Sequence, residues 1–169
     1  MTRAGAVSKL PAMRILPIAL ISFLALVGTA QASVNPPDGH VPFDAGFAVG
    51  VQTYKCDGAA WAFTGPRATV YTLHGQVDHY AGPTWEARDG STVVGAKVSE
   101  EPSPIGAIPH LLLRAASTTP GHLGKTSFVQ RLATTGGVAP AASTCTSATS
   151  GRVAEVPYTA VYTFWRASR

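Results

Sequence analysis

Short β-type segments separated by turn residues restrict the fold of this chain more than any other feature. Segments rich in Val, Thr, Tyr and Trp recur about every eight to twelve residues, and no window combines helical periodicity with helix caps. The expected strands are residues 49–56, 60–64, 68–73, 84–88, 91–98, 109–115, 127–132 and 158–166. The pattern predicts a single all-β domain, an antiparallel sandwich or barrel of about eight strands.

The N-terminal end has the segment order of a secretory signal peptide. Arg3, Lys9 and Arg14 form a basic lead-in to an uncharged apolar run at 15–27, and Ala30-Gln31-Ala32 supplies small residues for cleavage. The apolar run is too short to span a membrane, and no later stretch is long enough. The sequence therefore predicts an exported protein that does not span the membrane.

These signals divide the chain into three expected segments. Residues 1–32 are a signal peptide removed near Ala32, residues 33–46 are an extended, proline-marked arm, and residues 47–169 are the β domain. The product is expected to be secreted or periplasmic. Translation from Met13 would give a leader of more ordinary length, so the true start is either Met1 or Met13.

The charge of the expected mature chain argues against nucleic acid as a partner. The whole chain has 13 Lys and Arg against 9 Asp and Glu, a formal net charge of +4. Three of these cations and none of the acids lie in the leader, so the mature balance is 10 − 9 = +1. No basic run is interleaved with aromatic residues, and a nucleic-acid partner is therefore not expected.

Two cysteines, Cys56 and Cys145, remain in an oxidising compartment, which favours one disulfide. Closing so long a loop contributes about 4–5 kcal/mol in the chain-entropy model. A free thiol pair and a metal site are the alternatives, and the lack of CxxC spacing disfavours the metal site. The disulfide would attach the small-residue loop at 133–151 to the strand at 49–56.

The hairpin signal Asp89-Gly90 sets an expected register for the strands on either side of it. In a two-residue loop, Ala87 faces Thr92 and Trp85 faces Val94. Alternation then gives one apolar face, made of Trp85, Ala87, Val94, Ala96 and Val98. Trp85 is thus expected in the core.

Gly82-Pro83 indicates a second reversal, which supplies the candidate catalytic residues. If these two residues are the loop, His79 faces Glu86 on the polar side of the sheet, with Asp78 beside them. A carboxylate next to an imidazole can orient it as a general base. Such pairs on surface strands are more often structural.

Metal and cofactor signatures are weak or missing in the sequence. Four potential metal ligands lie close together, namely His74, Asp78, His79 and Glu86. His74 and His79 are five positions apart, so on a regular strand they face opposite ways. Three more histidines have no ligand spacing: His40, His110 and His122. No nucleophile elbow, P-loop or dinucleotide fingerprint occurs, so no cofactor, no metal and no dehydrogenase activity is expected.

Five blocks of sequence occur in a characteristic order. They are VGVQTYKC (49–56), HYAGPTWEARDGSTVVG (79–95), AIPHLLLRA (107–115), FVQRLATTGGVAP (128–140) and VPYTAVYTFW (156–165). The set resembles a family of exported bacterial and fungal proteins catalogued as domain of unknown function 3455, and the likeness covers nearly the whole mature chain. His110 departs from it, since the family favours tryptophan there. The resemblance implies one secreted domain and supplies no catalytic residues.

Three functions remain open from the sequence. The leading hypothesis is a non-catalytic module that binds an envelope or extracellular ligand, with Trp61 and Trp165 as candidate aromatic contacts. The first alternative is a small secreted hydrolase that uses His79 and Glu86, possibly with Asp78. The second is a structural envelope or stress factor stabilised by its disulfide.

Overall fold

The structure is a closed barrel of eight antiparallel strands. The computed structural model describes Met1 and residues 33–169, so the expected signal peptide lies outside the described residues. The strands are β1 His40–Cys56, β2 Trp61–Thr72, β3 Gly75–Tyr80, β4 Thr84–Ala87, β5 Thr92–Glu101, β6 His110–Thr118, β7 Phe128–Gly136 and β8 Val153–Ala167. Each strand pairs with the next, and β8 pairs with β1. The prediction of an all-β domain of about eight strands is confirmed, in its barrel form.

The helical content of residues 33–169 is limited to three short 3-10 turns. These are His122–Lys125, Ala142–Thr144 and Ser147–Thr149. In the part of the chain that the structure describes, no helix is long and apolar enough to cross a membrane.

Two of the expected strands, 60–64 and 68–73, belong to the single strand β2. Gly65 and Pro66 join them, with Gly65 at a φ of 143°. Opposite them, the pairing of β1 with β2 shifts register between Thr53 and Tyr54. A β-bulge accommodates glycine and proline within a strand. The sequence therefore predicts two separate strands where the structure has one strand with a kink.

Strand β3 was not expected, and its residue types explain why. Its inward positions are held by Val77 and His79, both buried, while Asp78 and Tyr80 are exposed. Because a histidine occupies one of the two core positions, the alternation of apolar and polar residues is not visible in the sequence.

The hairpin between β4 and β5 has a three-residue loop, which corrects the expected register. The Ala87 amide donates to the Ser91 carbonyl, and the Gly90 amide donates to the Ala87 carbonyl, both at 2.9 Å. Gly90 has a φ of 79°, which fits the left-handed position of such a loop. Trp85 consequently faces Val93 and not Val94.

The register shift of one residue reverses the faces of β5. Val93 and Gly95 point inward, whereas Val94 is half-buried and Ala96 and Val98 are exposed. Val94, Ala96 and Val98 were therefore wrongly expected on the apolar face. Trp85 itself is 1% exposed, which confirms its expected place in the core. Around it, the barrel interior is filled by Ala48, Val70, Val77, Val93, Leu113, Val129, Tyr158, Ala160, Tyr162 and Phe164.

The disulfide between Cys56 and Cys145 is present, as expected, with a Cα–Cα distance of 5.4 Å. It connects the end of β1 to the loop between β7 and β8. Trp61 supports the same loop, because its Nε1 donates a hydrogen bond to Thr144 Oγ1 at 3.0 Å. The long small-residue loop is therefore held at two points.

Residues 33–39 form an arm on the outside of the barrel. Strand β1 begins at His40, within the segment expected to be an extended arm. Val34 is buried, its carbonyl accepts from Gln130 Nε2 at 3.0 Å, and the Ser33 carbonyl accepts from Ser99 Oγ at 2.8 Å. The arm thus covers part of the outer face between β5 and β7.

Candidate functional site

A notch in the barrel wall arises from the shortness of β3 and β4. Strand β3 pairs with β2 only along residues 67–72, and β4 pairs with β5 only along 92–94. The first half of β2 (61–66) and the last part of β5 (97–101) therefore have no neighbouring strand on this side. The notch lies between these two segments.

A pocket of about 280 Å³ lies at this notch and reaches the barrel interior. Its apolar wall is made of Phe63, Pro66, Trp85, Leu111 and Leu113. The interior of an eight-stranded barrel is just wide enough to be filled by its own side chains or to hold one small ligand. A largely apolar cavity with a few polar groups is the usual form of a small-molecule site.

Close approach of β2 to the turn between β3 and β4 shapes the mouth of the pocket. Gly65, Gly82 and Pro83 all line it. A Cβ atom placed on Gly65 would lie 2.6 Å from the Cβ of Ala81, which is too close for any real contact. The mouth therefore requires glycine at position 65.

Four buried polar residues converge on the pocket from four different strands. They are Gln52 of β1, His79 of β3, Arg131 of β7 and Tyr162 of β8. Strand alternation directs each of them inward from a barrel wall that is otherwise apolar. Of these four residues, only His79 is a site residue that the sequence predicts.

Arg131 is a buried cation without an acidic partner. It is 9% exposed, and its Nε and Nη2 both donate to the Pro109 carbonyl, at 3.1 and 2.8 Å. Within residues 33–169 it forms no salt bridge. Buried charges in proteins are normally paired, so an unpaired guanidinium at a pocket indicates affinity for an acceptor oxygen or an anion.

His79 is held neutral inside the barrel. Its ring is 3% exposed and stacks on Trp85 with centroids 4.3 Å apart. Burial, with a smaller contribution from the positive charge of the nearby Arg131, lowers the pKa of His79 to about 3. Nδ1 donates to the Thr84 carbonyl at 2.9 Å, because that carbonyl can only accept, and Nε2 is then the unprotonated acceptor.

The expected pairing of His79 with Glu86 is wrong. The turn contains three residues, 81–83, so His79 lies opposite Trp85 and Asp78 lies opposite Glu86. The shift of one position moves His79 into the core and leaves Asp78 and Glu86 exposed on the outer surface. Glu86 Oε2 accepts a hydrogen bond from the Tyr80 hydroxyl at 2.9 Å instead.

Several buried polar atoms near the pocket have no hydrogen-bond partner within the described chain. They include Gln52 Nε2, Trp85 Nε1, and the hydroxyls of Tyr158 and Tyr162. Burial, together with the neighbouring Tyr162, raises the pKa of Tyr158, so its hydroxyl remains a neutral donor. Each unsatisfied buried group costs about 1–3 kcal/mol, and a polar ligand atom or water would relieve that cost.

The two tryptophans proposed as ligand contacts lie away from the pocket. Trp61 is half-buried and bonded to the loop through Thr144. Trp165 is half-buried between the ends of β1 and β7, where it faces Pro42 and Phe128. Neither lines the pocket, and neither presents a fully exposed ring.

A second polar cluster lies at the opposite end of the barrel. The carboxylate of Asp44 bonds two imidazoles, with Oδ1 3.1 Å from His74 Nδ1 and Oδ2 2.7 Å from His122 Nε2. Burial alone would raise the pKa of Asp44, but the hydrogen bonds from His122, His74, Thr72 and the Ala45 amide together outweigh it and lower that pKa below its ordinary value.

Sequence reasoning missed this cluster because its members lie far apart in the chain. Asp44 comes from β1, His74 from the turn between β2 and β3, and His122 from a 3-10 turn. No spacing within one element could reveal the group. The one available signal was an aspartate on the inward face of β1, close to the small residues Gly46, Ala48 and Gly50.

Comparison with known proteins identifies the family of this chain. A family model described as "Protein of unknown function (DUF3455)" matches residues 71–166, from the end of β2 into β8. The matched region contains His79 and Arg131. No curated protein matches the chain, and no solved structure matches it. Since the family model covers more than half of the sequence, the chain belongs to the DUF3455 family of proteins of unknown function.

Proposed function

We propose that this barrel is a non-catalytic binding module for a small, mainly apolar molecule that carries an anionic oxygen. The observation that carries the proposal is the guanidinium of Arg131, which is buried at the pocket without a carboxylate partner among residues 33–169. A ligand carboxylate would supply the missing counter-charge through a charge-assisted hydrogen bond. The volume of the pocket and its apolar wall determine the size and the apolar character of the rest of the ligand.

The size of the pocket limits the ligand to a compact molecule. About 280 Å³ corresponds to the volume of roughly nine liquid water molecules, so a ligand of about ten non-hydrogen atoms fits. Trp85, Leu111 and Leu113 would cover the apolar body of such a ligand. Gln52 Nε2 and the Tyr162 hydroxyl are additional unpartnered donors for its polar end.

The pocket is better suited to binding than to catalysis. A general base works best when its pKa lies near the working pH, and the pKa of His79 is about 3. No carboxylate lies among the described residues that line the pocket. The binding proposal is therefore favoured over a hydrolase built on His79 and Glu86.

Export is part of the same proposal. Residues 1–32 would direct the chain out of the cytoplasm and be removed near Ala32, so the ligand would be met in the periplasm or outside the cell. N-terminal sequencing of the protein recovered from its native host tests this part. A mature chain that starts near Ser33 is expected, and an intact N-terminus in a cytoplasmic fraction would contradict it.

The ligand class is tested with matched small probes. Benzoate and hexanoate are compared with benzamide and hexanol in thermal-shift and NMR titrations of the purified protein. We expect the carboxylates to bind in preference to the neutral analogues. Replacing Arg131 by Met should weaken carboxylate binding by about 10–100-fold, since hydrogen bonds to charged groups contribute about 1.5–3 kcal/mol.

The control for this substitution is Arg114→Met, which removes an exposed arginine from the neighbouring strand β6. Its carboxylate affinity should equal that of the wild type. Equal binding of neutral and anionic probes, or equal losses in the two arginine variants, would contradict the proposal.

A further inference from the structure

The cluster of Asp44, His74 and His122 has the composition of a metal site. One carboxylate and two imidazoles converge, and their potential ligand atoms all lie within 4.8 Å of one another. A donor set of two nitrogens and one oxygen suits Zn²⁺ and related transition-metal ions better than Mg²⁺ or Ca²⁺, which prefer oxygen ligands. We propose that these three residues bind a divalent transition-metal ion, with Zn²⁺ as the best-fitting ion.

The distances in the cluster are close to those that a tetrahedral ion requires. Zn–N and Zn–O bonds of about 2.0–2.2 Å place neighbouring ligand atoms about 3.3 Å apart. His74 Nδ1 lies 3.1 Å from Asp44 Oδ1, and His122 Nε2 lies 2.7 Å from the other carboxylate oxygen, Oδ2. The two imidazole rings are neighbours, with centroids 4.7 Å apart. Since the ligand atoms of the three residues lie within 4.8 Å of one another, a movement of about 1.5 Å by one histidine would complete the geometry.

His74 is the residue that can make this adjustment. It lies in the turn between β2 and β3, and its side chain is 55% exposed. Its exposure also gives an ion a route from solvent to the carboxylate, which is itself only 2% exposed. Three protein ligands leave a fourth position for water or for another ligand.

The other two ligands are held in place by surrounding hydrogen bonds. The Ala45 amide donates to Asp44 Oδ1 at 2.9 Å. The backbone amide of His122 donates to Asp89 Oδ2 at 2.7 Å, and Asp89 is in turn bonded to the Ser91 amide. Such outer contacts orient metal ligands and reduce the cost of ordering them when the ion binds.

Charged groups of both signs surround the cluster, since Arg88 lines the same surface pocket as His74 and His122 and Lys125 lies nearby. Two carboxylates, Asp44 and Asp89, lie at this end of the barrel. The nearby Lys125 places its ammonium over the Phe43 ring, 4.5 Å from the centroid. Phe43 also contacts the His122 ring edge-on, at 5.7 Å between centroids, and so forms an apolar wall beside the ligands.

The cluster is separate from the pocket of the proposed function. Asp44 and Gln52 lie on the same strand, eight positions apart, which corresponds to roughly 25 Å of extended chain. Metal binding at the cluster and ligand binding in the pocket can therefore be tested separately, and failure of one proposal leaves the other intact.

The test is isothermal titration of the purified protein, with its disulfide intact, with ZnCl₂. We expect one Zn²⁺ per chain and a higher melting temperature in the presence of Zn²⁺. His74→Ala and His122→Ala should each weaken Zn²⁺ binding at least tenfold, whereas MgCl₂ and CaCl₂ should give no binding. His74→Ala is the decisive variant, because its exposed side chain can be removed with little effect on the fold.

The matched controls are His40→Ala and His110→Ala, which remove histidines that lie outside the cluster. Both should bind Zn²⁺ like the wild type. Absence of binding at millimolar Zn²⁺, or binding that survives in His74→Ala and His122→Ala, would overturn the inference. Melting curves of every variant in EDTA separate loss of a ligand from loss of the fold.

Discussion

At the scale of single residues, His79 occupies a core position that an apolar residue would ordinarily fill. Its ring packs on Trp85 and Tyr162, and its Nδ1 bonds to the Thr84 carbonyl. Burial disfavours the imidazolium, so the folded protein keeps His79 neutral down to a pH of about 3. The unfolded chain binds a proton at this residue near the ordinary pKa of about 6.5.

This difference predicts an acid-sensitive contribution to stability. Between pH 6.5 and pH 3 the unfolded state binds more protons at His79 than the folded state, so the free energy of unfolding decreases as the pH falls. His79→Phe keeps an aromatic ring at this position but removes the titrating group. The free energy of unfolding of this variant should decrease less steeply with falling pH than that of the wild type, by up to about 1.4 kcal/mol per pH unit. Urea unfolding at pH 7, 5 and 4 measures the two slopes.

The control for the aromatic replacement is His110→Phe, at a half-buried position at the start of β6. A change of slope that occurs equally in both variants would come from the replacement itself and not from burial of His79. If His79→Phe runs parallel to the wild type, the buried neutral histidine does not contribute to acid sensitivity.

At the scale of elements, the turns could be located from the sequence, but their lengths could not. Asp89-Gly90 and Gly82-Pro83 both mark real reversals, and both loops contain one residue more than expected. The length of the loop before β5 depends on a tertiary contact. A Cβ on Gly95 would lie 3.1 Å from Trp85 Cζ3, so glycine at this inward position lets the indole pack closely against β5 in this register. The expectation used local turn preference alone and could not include that contact.

The kink of β2 gives a prediction at the same scale. Gly65→Ala should lower the free energy of unfolding by about 1–3 kcal/mol, because the new methyl group collides with Ala81 and the φ of 143° is unfavourable for alanine. Gly75→Ala is the matched control, since Gly75 also has a positive φ, 120°, but has open space around its Cβ position. Chemical denaturation of both variants separates the collision from the backbone cost.

A larger loss of stability in Gly65→Ala than in Gly75→Ala is the expected order. Equal losses would show that the close approach of β2 to the turn has no energetic consequence. The Gly65 variant should also bind small carboxylate probes more weakly, because the same methyl group narrows the mouth of the pocket.

At the scale of the whole molecule, the barrel is closed by two strands from opposite ends of the domain. Strands β1 and β8 pair along almost their full length, from His40 with Ala167 to Lys55 with Val153. The class, the approximate strand number and the disulfide were predictable, because each has a local or compositional signal. The closure of the barrel was not predictable, because no local sequence pattern distinguishes two strands that pair to close a barrel from two edge strands of a sandwich.

The inward direction of Arg131 was equally hidden from the sequence. Strand β7 shows no simple alternation, since Val129, Gln130 and Arg131 are all buried. The outer position Gln130 is covered by the arm through its bond to Val34. A strand buried on both faces cannot be assigned an inner and an outer side from its own residues.

The disulfide provides the prediction for the whole molecule. Replacing both cysteines by serine avoids a lone thiol and should lower the free energy of unfolding by about 4–5 kcal/mol, because the bridge closes a loop with a sequence separation of 89. Denaturant unfolding of the double variant and of the reduced wild type measures this loss. The two should agree, and an unchanged unfolding midpoint would refute a stabilising role for the bridge.

The notch between β2 and β5 has a kinetic consequence. The opening results from the shortness of β3 and β4, and access to the pocket requires no strand pairing to break. Ligand exchange is therefore expected to be independent of unfolding, and association rates should change little with denaturant below the unfolding transition. A hairpin lengthened by two residue pairs would seal the notch, and the residence time of a bound ligand would then depend on the opening of the sheet.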